Sequence, residues 1–282
     1  MSTPAAPALP RIRATVLCIW AVVVLMTPYG NYARLPEELG AGQGIGRLLL
    51  DVDWLRGVLW SGRTLTILKW TTVAACLGAL VAGRRARWLM PLVVALVLTL
   101  DAVTKSLTGY ANHAQVAPLV VLGLVTLFDD ERAERAAVWL VRFALVVPYT
   151  FIGLHRLLEG GLALYLGDAL PHYIAQNSAG YSYYGFTIGL RLSDGPIVLA
   201  LLKAGFAIMT LFELLAVCAL VWPRFSPVWV IVTAGFHLAT LPLMNILFWE
   251  NLLLLLVAFA PWRAGARRRR SRKRFGRRLP AL

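Results

Sequence analysis

Charged residues are scarce in this chain of 282 residues: Asp, Glu, Lys and Arg make up 15% of it, against about a quarter of a typical soluble domain. Apolar residues make up 59%, and the mean hydropathy is +0.69. They are grouped in runs of about 20, the length that crosses a bilayer as an α-helix. No polar stretch between the runs is long enough for a soluble domain. The composition therefore excludes a soluble globular protein and predicts a polytopic membrane protein.

The residues that build common metal, nucleotide and hydrolase sites are also few or badly spaced. The four histidines show no spacing typical of metal ligands, and no glycine-rich phosphate loop or nucleophile elbow is present. The three cysteines have no metal-like or disulfide-like spacing. Because each lies inside an apolar run, we predict that they are small packing residues: Cys18, Cys76 and Cys218.

Acidic residues are missing altogether from the strongly basic end of the chain. Ten Lys and Arg and no acid lie between Arg263 and Arg278, and the whole chain has a net charge of +14. A basic segment directly after an apolar span is typical of a cytoplasmic anchor that contacts anionic lipid headgroups. We therefore predict a basic cytoplasmic tail at 263–282 and no nucleic-acid binding. The preference for Arg over Lys is compatible with a GC-rich bacterial source.

The apolar runs predict an all-α fold, a polytopic integral membrane helix bundle of about eight transmembrane helices within one domain at 1–262. The two long connections, 30–63 and 159–195, mix apolar, aromatic and charged residues, which is typical of interfacial helices. The predicted spans are 14–29, 64–82, 88–107, 115–128, 136–158, 196–222, 227–244 and 247–261.

The distribution of Lys and Arg predicts the orientation of these spans. If both termini are cytoplasmic, the basic segments fall mainly inside, as cytoplasmic loops require. Both long connections and their interfacial helices then lie outside. We therefore predict a multi-pass protein of the plasma membrane with both termini in the cytoplasm.

Several predicted spans carry ionisable groups, which cost about 2.5–3.5 kcal/mol each in the hydrocarbon on insertion scales. Such groups usually face protein or a water-filled cavity. In the predicted fifth span, Arg142, Tyr149 and Arg156 recur every seven residues and so share one face. Two other spans carry polar faces, which comprise Thr233, His237, Thr240 and Met244 in the seventh, and Lys203, Thr210 and Glu213 in the sixth. Polar faces on three helices predict a shared interior that opens to the outside.

Each polar residue also has a simpler interpretation. Asp101 and Lys105 are four residues apart, as in an intrahelical ion pair, and we favour that over catalysis. Glu159 could form a local pair with either Arg156 or His155. His237 could be a hydrogen-bonded packing histidine.

Three segments, in this order, resemble one known family. They are ANHAQVAPL at 111–119, FIGLHRL at 151–157, and FELLAVCALVWP, which continues into GFHLATLPLMNILFWENLLLLLVAFAP. Together they are similar to the horizontally transferred transmembrane domain (HTTM) family, relatives of the membrane core of vitamin K-dependent gamma-glutamyl carboxylase. The resemblance covers roughly residues 98–261.

The resemblance implies chemistry on a reduced quinone with oxygen and carbon dioxide, in which a membrane-embedded lysine is the base and a histidine assists. It implies that His113 is the assisting histidine, with Asn112 beside it. Arg156 stands where the lysine is expected, after His155. Arginine stays protonated in proteins, so Arg156 would hold an anionic oxygen or a carboxylate instead. The large extramembrane region that binds the carboxylase's protein substrate is also missing, so peptide carboxylation is not expected.

These observations leave three functions open. The first is a membrane enzyme that acts on a lipid-soluble small molecule, with a quinone as the candidate. The second is a non-catalytic protein that binds a lipid or a partner. The third, a transporter with a proton relay, has no support from internal repeats or matched broken helices. The predicted catalytic residues are His113, His155, Arg156 and His237, and the predicted ligand-binding residues are Asn112, Tyr149, Glu213 and Glu250.

Overall fold

The computed structural model of the chain describes residues 8–29, 52, 54, 57–58, 61–108, 113–128, 133–180, 188–244 and 246–260. Within these ranges the fold is all-α, as predicted, and no strand occurs. A 3-10 turn at Gly83–Ala86 follows the second helix, and a π-helical turn at Arg156–Gly160 continues the fifth. The helices are α1 (Leu9–Met26), α2 (Gly62–Ala82), α3 (Leu89–Thr108), α4 (His113–Leu127), α5 (Glu134–His155), α6 (Ala163–Leu166), α7 (Ala169–Gly180), α8 (Gly189–Ser193), α9 (Pro196–Leu214), α10 (Cys218–Val221), α11 (Phe225–Met244) and α12 (Trp249–Phe259).

Five of these helices are long and apolar enough to cross a membrane. They are α1, α2, α5 with its π turn (27 residues together), α9 and α11. In α9 only 22% of the apolar window is buried against the rest of the protein. Since so much apolar surface would be unfavourable in water, it fits a lipid environment. The protein is therefore membrane-embedded, while the apolar stretches of α3, α4 and α12 are shorter: Leu89–Val103, Gln115–Leu127 and Trp249–Phe259.

The first helix starts earlier than the sequence indicated. We predicted that the first span begins at residue 14, but α1 begins at Leu9, with Pro10 in its first turn. Proline is well suited to that position because the first N–H groups of a helix have no intrahelical partner. Arg13 thus lies inside the helix and is buried. Its Nη2 donates to the carbonyl of Gly83 at 3.1 Å, next to the C-terminal end of α2, where a cation is favoured.

The predicted sixth span is not one continuous helix. α9 ends at Leu214, and the short helix α10 begins only at Cys218. Between them the backbone bonds tighten: the N–H of Ala216 donates to the carbonyl of Glu213 at 3.1 Å, and that of Cys218 to Leu215 at 2.9 Å. The predicted span 196–222 therefore consists of α9 and α10, and the break between them begins two residues after Glu213.

Hydrogen bonds between helices show which helix ends share a face of the bundle. The N–H of Leu9 donates to Oε1 of Glu134 at 3.3 Å, which joins the start of α1 to the start of α5. The bond from Arg13 to Gly83 adds the end of α2 to the same face. On the opposite face, Nζ of Lys69 donates to the carbonyl of Thr27 at 3.0 Å. The two spans α1 and α2 are therefore antiparallel, and α5 begins on the same side as α1.

The second long connection contains helices, as predicted, and they pack on the bundle. α6 and α7 help to form a small apolar cluster with α9 and α11, made of Leu170, Ile174, Phe206 and Met244. The N–H of Ile188 donates to the carbonyl of Pro242 at 3.0 Å. The aromatic residues at 181–186, the predicted interfacial helix around 48–60 and the basic tail lie largely or wholly outside the described residues.

A substitution at Gly189 would test how closely the second long connection packs against the bundle. A Cβ at this position would run into the carbonyl of Leu243 and approach Cγ2 of Ile174 to 2.8 Å. We expect Gly189→Ala to destabilise the protein by about 1–3 kcal/mol, because backbone on α11 must move to make room. Thermal unfolding in detergent would measure this effect. The matched control is Gly205→Ala, where an added Cβ meets nothing within 4 Å, and an equal loss in both variants would contradict the close packing.

Candidate functional site

The polar face predicted on α5 points into the bundle, and each of its three residues contacts a different helix. Arg142 Nε donates to the carbonyl of Ala258 on α12 at 2.8 Å. The hydroxyl of Tyr149 is 2.6 Å from Nε2 of His237 on α11. One repeat further on, Arg156 reaches Glu213 on α9. The predicted seven-residue repeat is therefore confirmed as an inward-facing row.

The Arg156–Glu213 pair is the closest contact between opposite charges in the part of the chain that the structure describes. Nη1 of Arg156 donates to Oε2 of Glu213 at 2.6 Å, with the Glu213 side chain 3% exposed and that of Arg156 22% exposed. The guanidinium also lies over the ring of Phe206, 4.7 Å from its centroid, a favourable cation–π position. A buried charge without a partner is very costly in free energy. Each residue of the pair therefore lowers the cost of burying the other in the apolar bundle.

A glycine brings the two helices of this pair together. A Cβ on Gly153 would lie 2.9 Å from both the Cβ of Glu213 and the backbone nitrogen of Leu214. A distance below 3.0 Å is not seen for real side chains, so only glycine fits without a shift of α9. Gly153 therefore sets the close approach of α5 and α9 that brings Arg156 within reach of Glu213.

Where α5 passes into its π turn, the neighbouring residues His155 and Arg156 point in different directions. While Arg156 turns inward, Nε2 of His155 is 3.2 Å from Oε2 of Glu159, and both side chains are about two-thirds exposed, at 66% and 70%. Of the two local pairs considered for Glu159, the one with His155 is therefore present, while Arg156 pairs with Glu213. His155, a predicted catalytic residue, is not brought together with the buried residues, because adjacent helical residues point in different directions. The turn ends at Gly161, whose φ of +50° suits glycine.

The second pair, Tyr149 and His237, is almost fully enclosed, at 8% and 5% exposed. Three aromatic rings surround it. The Trp229 ring meets Tyr149 edge-on at a centroid distance of 5.5 Å, while Phe236 and Phe248 lie 5.7 and 5.4 Å from the imidazole. The hydrogen bond between phenol and imidazole thus lies in apolar, aromatic surroundings.

Two polar atoms beside this pair have no hydrogen-bond partner among the described residues. They are Nδ1 of His237 and Oγ1 of Thr233, one turn earlier on α11. A buried polar atom left unpaired costs about 1–3 kcal/mol, so such atoms usually mark a bound water or ligand. Both residues belong to the predicted polar face of α11, and that face is buried as expected: Thr233, His237, Thr240 and Met244.

The two pairs are neighbours on one face of the fifth span. Tyr149, which contacts His237, and Arg156, which contacts Glu213, are seven residues apart on that face. The group offers a permanent cation, a carboxylate, a phenol and an imidazole between α5, α9 and α11. It can hold a polar atom of a ligand by hydrogen bonds, stabilise negative charge, and accept or donate a proton through His237. Arg156 cannot be the base, because guanidinium stays protonated.

The structure describes the remaining predicted site residues only in part. Glu250 is buried in the first turn of α12, two residues after Phe248, whose ring contacts His237. His113 is the first residue of α4, but its side chain, like Asn112 as a whole, lies outside the description. Lys203 of α9 reaches the carbonyl of Leu166 at 3.3 Å instead of joining the pairs.

Sequence reasoning missed the groups that shape the site. Phe206, beneath the guanidinium, lies seven residues before Glu213 and so shares its face. That spacing was a usable signal. Gly153 and the rings of Trp229 and Phe248 had no such signal, because their roles depend on how separate helices pack.

Among the described residues, a cavity of about 70 Å³ lies between α1 and α2, and none of its lining residues belongs to either pair. The rings of Phe236 and Phe248 border the imidazole of His237. The described part of the site is therefore a polar centre among aromatic rings, with unmet hydrogen-bonding groups.

The apolar surface, the membrane-length helices and the buried polar centre define an α-helical, membrane-embedded protein. No family model matches the chain, and searches of the curated proteins and of the solved structures also find no match. The HTTM-like resemblance therefore rests on the three sequence segments alone.

The ion pair gives a direct stability test. We expect Arg156→Ala to cost about 3–5 kcal/mol, because Glu213 is left buried without its partner. The double variant Arg156→Ala/Glu213→Gln should lose clearly less than the two single changes together. Unfolding in detergent would measure the coupling, and strictly additive losses would contradict a buried pair. His155→Ala, which removes an exposed side chain of the same turn, is the control and should change stability by less than about 0.5 kcal/mol.

Proposed function

We propose that this protein binds a lipid-soluble small molecule at the polar centre formed by Tyr149, His237, Arg156 and Glu213, with a quinone as the candidate ligand. The observation that carries the proposal is the pair of unmet polar atoms beside the Tyr149–His237 hydrogen bond, Nδ1 of His237 and Oγ1 of Thr233. Their place in an aromatic, water-poor part of the bundle supports a ligand that arrives from the bilayer.

The chemistry of the surroundings favours a planar molecule with polar oxygens. The rings of Trp229 and Phe248 provide apolar faces and edges, which suit an aromatic or quinonoid ring. Oγ1 of Thr233 can donate to a carbonyl oxygen, and Nδ1 of His237 can donate or accept, depending on its tautomer. Arg156, with 22% of its side chain exposed, could attract a developing negative charge from the same side.

We infer the wider architecture from the sequence resemblance and the packing together. In this proposal the chain is an HTTM-like protein of the plasma membrane with eight spans, α3, α4 and α12 being the three shorter ones. The starts of α1 and α5 lie on the same face of the bundle as the end of α2, which supports spans that cross the membrane in alternating directions. The arginines near that face favour placing it in the cytoplasm, with the polar centre nearer the outside.

An enzymatic version of the proposal gives separate roles to the charged groups. His237, held by Tyr149, would exchange the proton, while Arg156 would stabilise negative charge on oxygen. His113 enters only through the resemblance, and His155 and Glu250 would act at the edges of the site. Because Arg156 replaces the expected lysine, this chemistry would differ from that of the carboxylase.

A non-catalytic binder is the second candidate, and the ion pair favours it. Arg156 is already engaged by Glu213 at 2.6 Å, so its charge is largely compensated within the protein. A site of this kind could retain a lipid or a quinone without changing it.

Mass spectrometry of small molecules extracted from gently purified protein tests the binding. We expect a ligand to copurify with the wild type and its content to fall about tenfold in His237→Ala, the loss that corresponds to about 1.4 kcal/mol of binding free energy. Tyr149→Phe should lower it less, because the imidazole stays in place. The control His172→Ala changes an exposed histidine of α7. A wild type without ligand, or equal content in all four proteins, would contradict the proposal.

Turnover distinguishes the enzyme from the binder. If the protein is an enzyme on reduced quinones, His113→Ala should abolish consumption of an added quinol while thermal unfolding stays as in the wild type. Chromatography of the quinol and its products provides the measurement. Full turnover in His113→Ala would remove His113 from the reaction, and bound quinone without any turnover in the wild type would select the binder.

A further inference from the structure

We propose that Tyr165 of α6 is a further ligand-binding residue, and that its hydroxyl holds a second oxygen of the molecule bound at the polar centre. The ligand is then a flat molecule with polar oxygens at two separate positions of its ring system, as in a quinone. This inference rests on the function proposed above and specifies its ligand further. It adds a residue of the second long connection, in which no site residue was predicted.

The hydroxyl of Tyr165 is a buried polar group without a hydrogen-bond partner among the described residues. The ring packs against the small apolar cluster, which consists of Leu170, Ile174, Phe206 and Met244. A phenylalanine would fill the same place without burying a hydroxyl, so the phenol costs free energy unless something bonds to it. Tyr165 therefore offers an unused hydrogen-bonding group, of the kind that usually marks a bound water or ligand.

One aromatic ring connects Tyr165 with the ion pair. The centroid of the Phe206 ring is 4.7 Å from the guanidinium carbon of Arg156. It is also 5.9 Å from the centroid of the Tyr165 ring. Since Arg156 and Tyr165 both border the same phenylalanine, the phenol lies beside the polar centre.

A second aromatic ring connects the small apolar cluster with His237. Phe236 packs on this cluster, as Tyr165 does, and its ring is 5.7 Å from the imidazole. The unpaired Nδ1 of His237 and the unpaired hydroxyl of Tyr165 are thus both near residues of one apolar cluster. In the proposed complex, a flat ring packs along Phe206 and Phe236 and bonds to His237 with one oxygen and to Tyr165 with the other.

The short helix α6 is held at both ends, which gives Tyr165 a fixed place. At its start, a Cβ on Gly160 would lie only 2.9 Å from Cβ of Leu164. At its end, Nζ of Lys203 donates to the carbonyl of Leu166 at 3.3 Å. A group that is already fixed loses less conformational entropy when a ligand binds, which favours a role in binding.

Thermal unfolding in detergent, with and without an added short-chain ubiquinone, tests this inference after copurified ligand has been removed by washing. The proteins are the wild type, Tyr165→Phe, His237→Ala and the control Tyr173→Phe, which changes an exposed tyrosine of α7. Without ubiquinone, Tyr165→Phe should unfold at a higher temperature than the wild type, because it lacks a buried hydroxyl that has no partner. Titration of the unfolding temperature with ubiquinone then gives the affinity of each protein.

We expect Tyr165→Phe to bind ubiquinone about fivefold more weakly than the wild type, the loss typical of one neutral hydrogen bond. Tyr173→Phe should bind it as the wild type does. A residue that only packs would not combine higher stability without the ligand with weaker binding of it. Equal affinity in the wild type and Tyr165→Phe, or equal losses in Tyr165→Phe and Tyr173→Phe, would overturn the inference.

The inference and the proposed function can fail separately. Loss of affinity in His237→Ala, with full affinity in Tyr165→Phe, would overturn the role of Tyr165 and leave the polar centre as the site. The absence of any ubiquinone effect on the wild type would contradict the proposed ligand itself. A lower unfolding temperature of Tyr165→Phe without ubiquinone would show that the hydroxyl already has a partner such as water, and this result would also overturn the inference.

Discussion

The ion pair between Arg156 and Glu213 is the constraint on which the centre of this protein depends. It places a full charge of each sign between two apolar helices, so neither residue can change alone without leaving the other exposed to a low dielectric. The helices must also stay close enough for a 2.6 Å contact. Gly153 makes that approach possible, and the row from Arg142 through Tyr149 to Arg156 fixes the rotation of α5. The position of Tyr149 against His237 follows from the same rotation.

The helix class and the inward row of α5 could be predicted from the sequence for a physical reason. Helical repeats of three, four and seven residues are properties of one segment, and they identified Tyr149, Arg156, His237 and Glu213 before any packing was known. The same principle, applied strictly, separates His155 from Arg156, because two adjacent residues cannot face the same point. Of these two predicted pocket residues, only Arg156 contacts the buried Glu213, while His155 is largely exposed.

Other parts of the site could not be predicted because they arise from contacts between helices. Nothing in the residues that follow Leu214 indicates the end of α9, since no glycine or proline occurs before Pro223. Likewise, the aromatic rings around His237 come from α11 and from Phe248, the residue before α12. No local sequence pattern predicts how these two segments are placed relative to each other. The same holds for Arg13. From the sequence it is predicted to precede the first span, and only the packing of the helices shows that it contacts Gly83. Sequence patterns identify faces, and packing decides which faces meet.

The early end of α9 has a consequence for the arginine itself. The last carbonyls of a helix carry a partial negative charge, and Glu213 is the penultimate residue of α9. The carboxylate therefore lies at the negative pole of its own helix, where an acid is least favoured. A cation at position 156 therefore compensates two contributions of the same sign, the carboxylate and the partial charge of the helix end. Guanidinium supplies that cation as a permanent charge, so the point at which α9 stops strengthens the need for a cation at position 156.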